Sequence, residues 1–212
     1  MIITLVKNIL RGIGRLFYHI SLLLHKPYKV LCWFIFQIRT GYISSFFLNA
    51  GKDTYISSPS RIIGNKYISL GDQFTSLYGL RIEAYDSYLT QKFSPSVEIG
   101  NNVCFNTDCH VACINRIVIG DNVLIGSRVF ITDHAHGDTD CLTGIAPSNR
   151  PLISKGAVII GNNVWIGEGV IILPNVEIGD NCVIGANSVV TKSFPKNSVL
   201  GGIPAKIIKV LD

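Results

Sequence analysis

Residues 160–192 read IGNNVWIGEGVIILPNVEIGDNCVIGANSVVTK, and the spacing inside that stretch decides the fold. An aliphatic residue returns at every sixth position: Ile160, Ile166, Ile172, Ile178, Ile184, Val190. Four residues after most of these comes a second, generally smaller one: Val164, Val170, Val176, Cys182, Ser188. Gly161, Gly167, Gly179 and Gly185 follow the beat, often with Asn or Asp next. A period of six matches neither an amphipathic helix nor an alternating strand. It fits a short strand plus a tight turn, with Gly and Asn supplying the positive-φ conformations of the turn.

Upstream the same beat runs through Ile99, Phe105 and Val111, slips by two, and resumes at Ile119, Ile125 and Ile131. Val103, Cys109, Val123 and Val129 take the second position there, and Gly100, Gly120 and Gly126 the turn. Three hexapeptides make one triangular coil of about 18 residues, with beat residues stacked inside. Such a repeat buries its apolar side chain only against its neighbours, so the coils must form a continuous stack. Ile63-Gly64 and Leu70-Gly71-Asp72 read as degenerate early coils. The expectation is an all-β parallel solenoid over residues 53–212, with a tail from about 195 and one long extruded loop at about 133–157.

At 212 residues the chain is long enough for one substantial core. Its 48% hydrophobic and 16% charged composition excludes a disordered chain and argues against a coiled coil. Residues 1–52 hold seven Lys or Arg and no Asp or Glu, while the rest carries 12 basic against 14 acidic residues. The positive charge is therefore local, and no nucleic-acid partner is expected. Ile2, Val6, Ile9, Ile13, Leu16, Phe17 and Ile20 recur at helical spacing, almost opposite a stripe of Lys7, Arg11 and Arg15. This basic amphipathic helix suits either the cytoplasmic face of an anionic inner membrane or a packing partner in the protein's own core or a neighbouring subunit. No apolar run is long enough to cross a bilayer. The six Cys form no CxxC pair and read as thiols in a reducing compartment.

The phrases IGDNVLIG (119–126), residues 160–192 and GGIPAKIIK (201–209) resemble the hexapeptide-repeat acyltransferases, in particular the maltose and galactoside acetyltransferases. ITDHAHGDTD (131–140) is more similar to relatives that acetylate bacterial polysaccharides such as O-antigen and colanic acid. The resemblance covers roughly residues 55–209. It implies a left-handed parallel β-helix, acetyl-CoA as acyl donor, a saccharide acceptor (lipid-linked forms included), and a homotrimer with sites between subunits. It also implies a cytoplasmic enzyme of polysaccharide or lipopolysaccharide synthesis.

The beat breaks once for long, between Ile131 and Ile160. Loops of that length in a compact solenoid are usually functional or disordered. This one opens with Asp133-His134-Ala135-His136-Gly137. An imidazole titrates close enough to neutrality to act as general base in acyl transfer to a hydroxyl. In the family the catalytic His falls 17 residues after the Ile of the IGDN coil; counted from Ile119, this is His136. His134 then orients it or contacts the acceptor, with the reversed roles left open. The resemblance also implies roles for Asn106, where the galactoside enzymes carry an Asn near the reacting centre, and for Trp165, which in the family walls the acceptor or thioester site. Asp133, at the loop opening, is a further substrate-binding candidate. The resemblance places coenzyme A contacts at Ala186, Thr191, Lys192, Lys206 and Lys209, with Lys standing at two positions where the family has Arg. That exchange keeps the charge and loses the bidentate fork. Ile114 stands where the galactoside enzymes carry an acidic residue, so the identity of the sugar stays open.

Transfer to the amine of an amino sugar is a second reading. A metal enzyme like the gamma carbonic anhydrases, using His110, His134 and His136, is another. It leaves VTK and GIPAK without a role, and no metal is expected. A non-catalytic solenoid subunit is the remaining alternative.

Overall fold

The computed structural model describes residues 2–137 and 144–211. The chain forms two compact units, Met1–Ile43 and Ser44–Asp212.

The first unit is one α-helix, α1, Ile2–Ser44, with Pro27 inside it and no acidic residue. The periodicity at 2–20 marks only its first half. Beyond it Ser21, His25, Lys26, Lys29, Gln37 and Arg39 keep to one half of the circumference, so the helix stays amphipathic along its second half. Val6, Ile13, Leu16, Phe17 and Ile20 are exposed, as are Trp33 and Phe34 further along. No described helix is long and apolar enough to cross a membrane.

The second unit is a three-sided parallel β-helix. Face 1 stacks Asn49–Ala50, Ile68–Leu70, Ser96–Ile99, Arg116–Ile119, Val158–Ile160 and Val176–Ile178. Face 2 stacks Tyr55–Ile56, Thr75–Ser76, Cys104–Phe105, Leu124–Ile125, Trp165–Ile166 and Val183–Ile184, and is closed by Ser198–Gly202 and the antiparallel Ala205–Val210. Face 3 stacks Arg61–Ile63, Arg81–Ala84, His110–Cys113, Phe130–Thr132, Ile171–Ile172 and Val189–Val190. The winding therefore begins at Asn49, before the composition break at residue 52.

All twelve beat residues from Ile99 to Val190 are buried, most of them completely, and so are the nine second-position residues from Val103 to Ser188. Each beat side chain sits on the equivalent one of the next coil: Ile99 faces Ile119, Ile119 faces Ile160, and Ile160 faces Ile178. The two-residue slip after Val111 lies at the corner between faces 3 and 1. It makes the early coils 20 residues long, as in Ile99 to Ile119, against 18 in Ile160 to Ile178. Asn102, Asn122, Asn163, Asn181 and Asn187 all have positive φ at their corners, and Asn163, Asn181 and Asn197 link through side-chain amides from coil to coil. This ladder satisfies amides that a corner would otherwise leave to solvent.

Candidate active site

The site grows from the corner where face 3 hands over to face 1. Phe130–Thr132 ends the face-3 strand, and Asp133 turns inward, wholly buried. Its carboxylate accepts the backbone N–H of Ile114 (3.0 Å) and of Asn115 (2.8 Å) from the preceding coil. It also accepts the Cys113 thiol at 3.2 Å and His134 Nδ1 at 2.9 Å. Burial resists the charge, but the four donors outweigh it and hold Asp133 below the usual carboxylate range. Burial and the adjacent carboxylate push the Cys113 thiol far up, so it remains protonated and a poor nucleophile.

From Asp133 the chain leaves the prism as a ribbon. Ala135–His136 pairs antiparallel with Leu152–Ile153, His136 lying across from Leu152. His134 is largely covered, with its side chain 9% exposed, whereas His136 is exposed. The His136 ring meets Tyr88 edge-on, centroids 5.3 Å apart, with its Nδ1 at 3.4 Å from the Tyr88 hydroxyl.

A cavity of about 310 Å³ opens at the loop root, walled by His134, Ile153, Lys155, Leu173, Pro174 and Thr191. Its walls are mainly apolar, with one ammonium at the rim. This suits the pantetheine arm and thioester of a coenzyme A donor. A larger depression of about 460 Å³ on the outside of face 1, around Ser69, Glu98 and Val118, holds no histidine among its described walls.

The structure gathers Asp133, His134, His136, Thr191 and Lys192 at this one corner. Lys192 is exposed, its ammonium 5.7 Å from the Phe194 ring centroid. The other sequence candidates lie elsewhere on the same chain. Asn106 and Ala186 sit at the corner between faces 2 and 3, after the strands Cys104–Phe105 and Val183–Ile184. Trp165 projects from face 2, 55% exposed, and the exposed Lys206 and Lys209 stand on the closing strand Ala205–Val210. A single chain therefore holds the candidates in two sets, at different edges of the prism.

The third histidine of the metal reading, His110, is occupied separately. Its Nε2 lies 3.0 Å from Glu83, whose buried carboxylate also takes Arg61 and Arg81. Burial, reinforced by Arg81, holds His110 below the ordinary imidazole range, and Glu83 opposes that shift. Among the described residues no group of three His, Cys, Asp or Glu is placed to hold a metal ion. Sequence reasoning passed over Lys155, Leu173, Pro174 and Tyr88. Leu173 and Pro174 are legible once the coils are laid in register, since residues 173–175 must occupy the corner where the loop leaves, whereas Lys155 lies in the loop, outside the beat.

Fold and site define a transferase built from hexapeptide repeats. Two family models match: "Bacterial transferase hexapeptide (six repeats)" over residues 157–192 and "Hexapeptide repeat of succinyl-transferase" over 116–132. The Escherichia coli K12 protein WbbJ, by name a lipopolysaccharide biosynthesis O-acetyl transferase, is 40% identical over 184 residues, covering 84% of this chain and 89% of its own. Galactoside O-acetyltransferase of the same organism is 37% identical over 125 residues, 57% of each chain. Among solved structures, a galactoside acetyltransferase in complex with coenzyme A superposes with TM-score 0.57 at 29% identity, covering 82% of this chain and 70% of its own. A maltose O-acetyltransferase from Clostridium difficile 630 gives 0.56 at 30%, covering 84% and 76%. The chain belongs to the hexapeptide-repeat acyltransferase family, with its left-handed β-helix, and is an acetyl-CoA-dependent O-acetyltransferase.

Proposed function

We propose that the chain acetylates a hydroxyl of a saccharide in cell-surface polysaccharide synthesis, with His136 as general base. The observation that carries this reading is the loop root itself. It walls a donor-sized cavity with His134 and Thr191, the latter a position where the family resemblance places coenzyme A, and it presents the exposed His136 between the cavity-lining Ala135 and Gly137. A bulky acceptor needs a base it can reach, and His136 is open where His134 is covered. The Asp133 carboxylate is committed to two backbone amides and a thiol, which fits a fixed His134 forming the cavity wall.

In this reaction His136 Nε2 takes the proton of the acceptor hydroxyl as the oxygen attacks the thioester carbonyl. The tetrahedral oxyanion collapses, the carbon–sulfur bond breaks, and the imidazolium returns the proton to the departing thiolate. The products are the O-acetyl saccharide and coenzyme A, with no covalent enzyme intermediate. Asn106, Trp165, Ala186, Lys206 and Lys209 belong to the same reaction through a homotrimer, in which the second set on one protomer meets the loop root of its neighbour. The basic face of α1 keeps the enzyme at the anionic inner membrane surface, near lipid-linked acceptors.

The test is transfer of radiolabelled acetyl from acetyl-CoA to a panel of monosaccharides, nucleotide sugars and lipid-linked oligosaccharides. We expect a labelled saccharide, with His136→Ala slowed by roughly 10² to 10⁴ and His134→Ala slowed less. A wild-type protein that labels nothing in the panel refutes the saccharide acceptor. A fully active His136→Ala refutes the base.

A further inference from the structure

We infer that Tyr88 is a positioning residue that fixes the tautomer of His136 and thereby turns its Nε2 into the basic nitrogen. The inference deepens the assignment of His136 as base and rests on it.

Tyr88 sits on a short hairpin, Ser87–Tyr88 paired with Gln91–Lys92, that interrupts the winding between Ala84 and Ser96. The hairpin is anchored at both ends of its reach. At its root, Asp86 accepts the Tyr67 hydroxyl at 3.0 Å and lies 3.3 Å from the Lys66 ammonium. At its far side the Gln91 side chain behaves like a piece of strand against the extruded ribbon. Its amide nitrogen donates to the Leu152 carbonyl (3.1 Å), and its oxygen accepts the Leu152 N–H (2.7 Å). Leu152 is the residue directly across from His136. The hairpin therefore holds the backbone opposite the base, and Tyr88 holds the base itself.

Counting protons settles the direction of the Tyr88 contacts. A phenol has one hydrogen to give, and a backbone carbonyl has none. Tyr88 Oη lies 2.5 Å from the Ser148 carbonyl oxygen, so its hydrogen is committed there. Toward His136 Nδ1, at 3.4 Å, the phenol oxygen is then only an acceptor. The hydrogen between them belongs to Nδ1, and the ring's lone pair lies at Nε2. The free imidazole of histidine prefers the opposite tautomer, so the contact has something to select. The edge-on packing of the two rings limits rotation about the same axis.

The direct readout is the ¹⁵N spectrum of the full chain labelled at its histidine rings, recorded above the imidazole titration, with His136→Gln identifying the signal. We expect wild-type His136 to be protonated at Nδ1. Tyr88→Phe, which keeps the ring and its packing, should move it toward the Nε2–H form. With the saccharide identified by the acetyl-transfer panel, Tyr88→Phe should lower kcat by about tenfold or more and leave the KM for acetyl-CoA unchanged. Gln91→Ala should shift both readouts the same way by a smaller factor. A wild-type His136 protonated at Nε2, or a Tyr88→Phe chain with unchanged tautomer and kcat, overturns the inference. A fully active His136→Ala would instead overturn the base assignment beneath it, an outcome the nitrogen spectrum tells apart because it reads Tyr88 without turnover.

Discussion

His134 Nδ1 lies 2.9 Å from the carboxylate of its own chain neighbour Asp133, and that carboxylate also takes two backbone amides of the coil before it. One buried charge thus ties the departing loop both to its histidine and to the prism. Replacing it tests both bonds at once. Asp133→Asn keeps the shape but turns one acceptor oxygen into a donor facing N–H groups. We expect a loss of about 1–3 kcal/mol, read as a lower melting temperature. The pH dependence follows from the downward shift of Asp133. A carboxyl held below its unfolded value stabilises the fold above that value, about 3.9, and loses the contribution as pH falls through the folded one. The gap between wild type and Asp133→Asn should therefore be constant from pH 7 to 5 and close at lower pH. A gap that is already closing between pH 7 and 6 would show that the group titrates in the wrong window.

Coil spacing gives a second test. A Cβ on Gly120 would lie 2.8 Å from the Gly161 carbonyl carbon and 2.9 Å from its oxygen. The nearest atom is the Asn162 side-chain oxygen at 2.6 Å, but these two obstacles are backbone, so the coils must separate to admit it. Gly120→Ala should cost about 1–3 kcal/mol. In α1, Gly14→Ala meets nothing within 4 Å and should leave the melting of the β-helix unchanged. Equal melting temperatures for Gly120→Ala and wild type would mean that the stack tolerates a wider corner than its geometry allows.

The same corners explain what could be read in advance. A six-residue beat is a packing rule, and each phased side chain from Ile99 to Val190 is buried where the beat places it. Asn at the turn is equally legible, because its positive φ is the reason for its presence. The histidines were visible because the loop breaks the beat beside them. The hairpin that holds His136 was not. Ser87–Tyr88 and Gln91–Lys92 are two-residue strands with no period, and the 61-residue separation between Gln91 and Leu152 leaves no local signal. The division of candidates between two corners was likewise invisible as motif. It follows only from assigning every residue to a face, which places Thr191 at the loop root and Asn106 and Ala186 one corner away.

The 43-residue α1 provides the last test. Its exposed Phe17, Trp33 and Phe34 belong to the class of side chains that settle at a bilayer interface, and its cations are unopposed by any carboxylate on the helix. Near an anionic leaflet each Lys or Arg contributes about 1 kcal/mol. Reversing Arg11 and Arg15 to Glu should therefore weaken binding by more than about tenfold. The full chain should co-sediment with vesicles of mixed phosphatidylglycerol and phosphatidylcholine. It should bind pure phosphatidylcholine weakly and leave the anionic vesicles as salt rises toward 0.5 M, since screening shortens the reach of surface charge. Equal partition to neutral and anionic vesicles would refute the electrostatic part of the reading. No sedimentation with either, together with a larger assembly in solution, would assign the apolar face of α1 to a second copy of the chain.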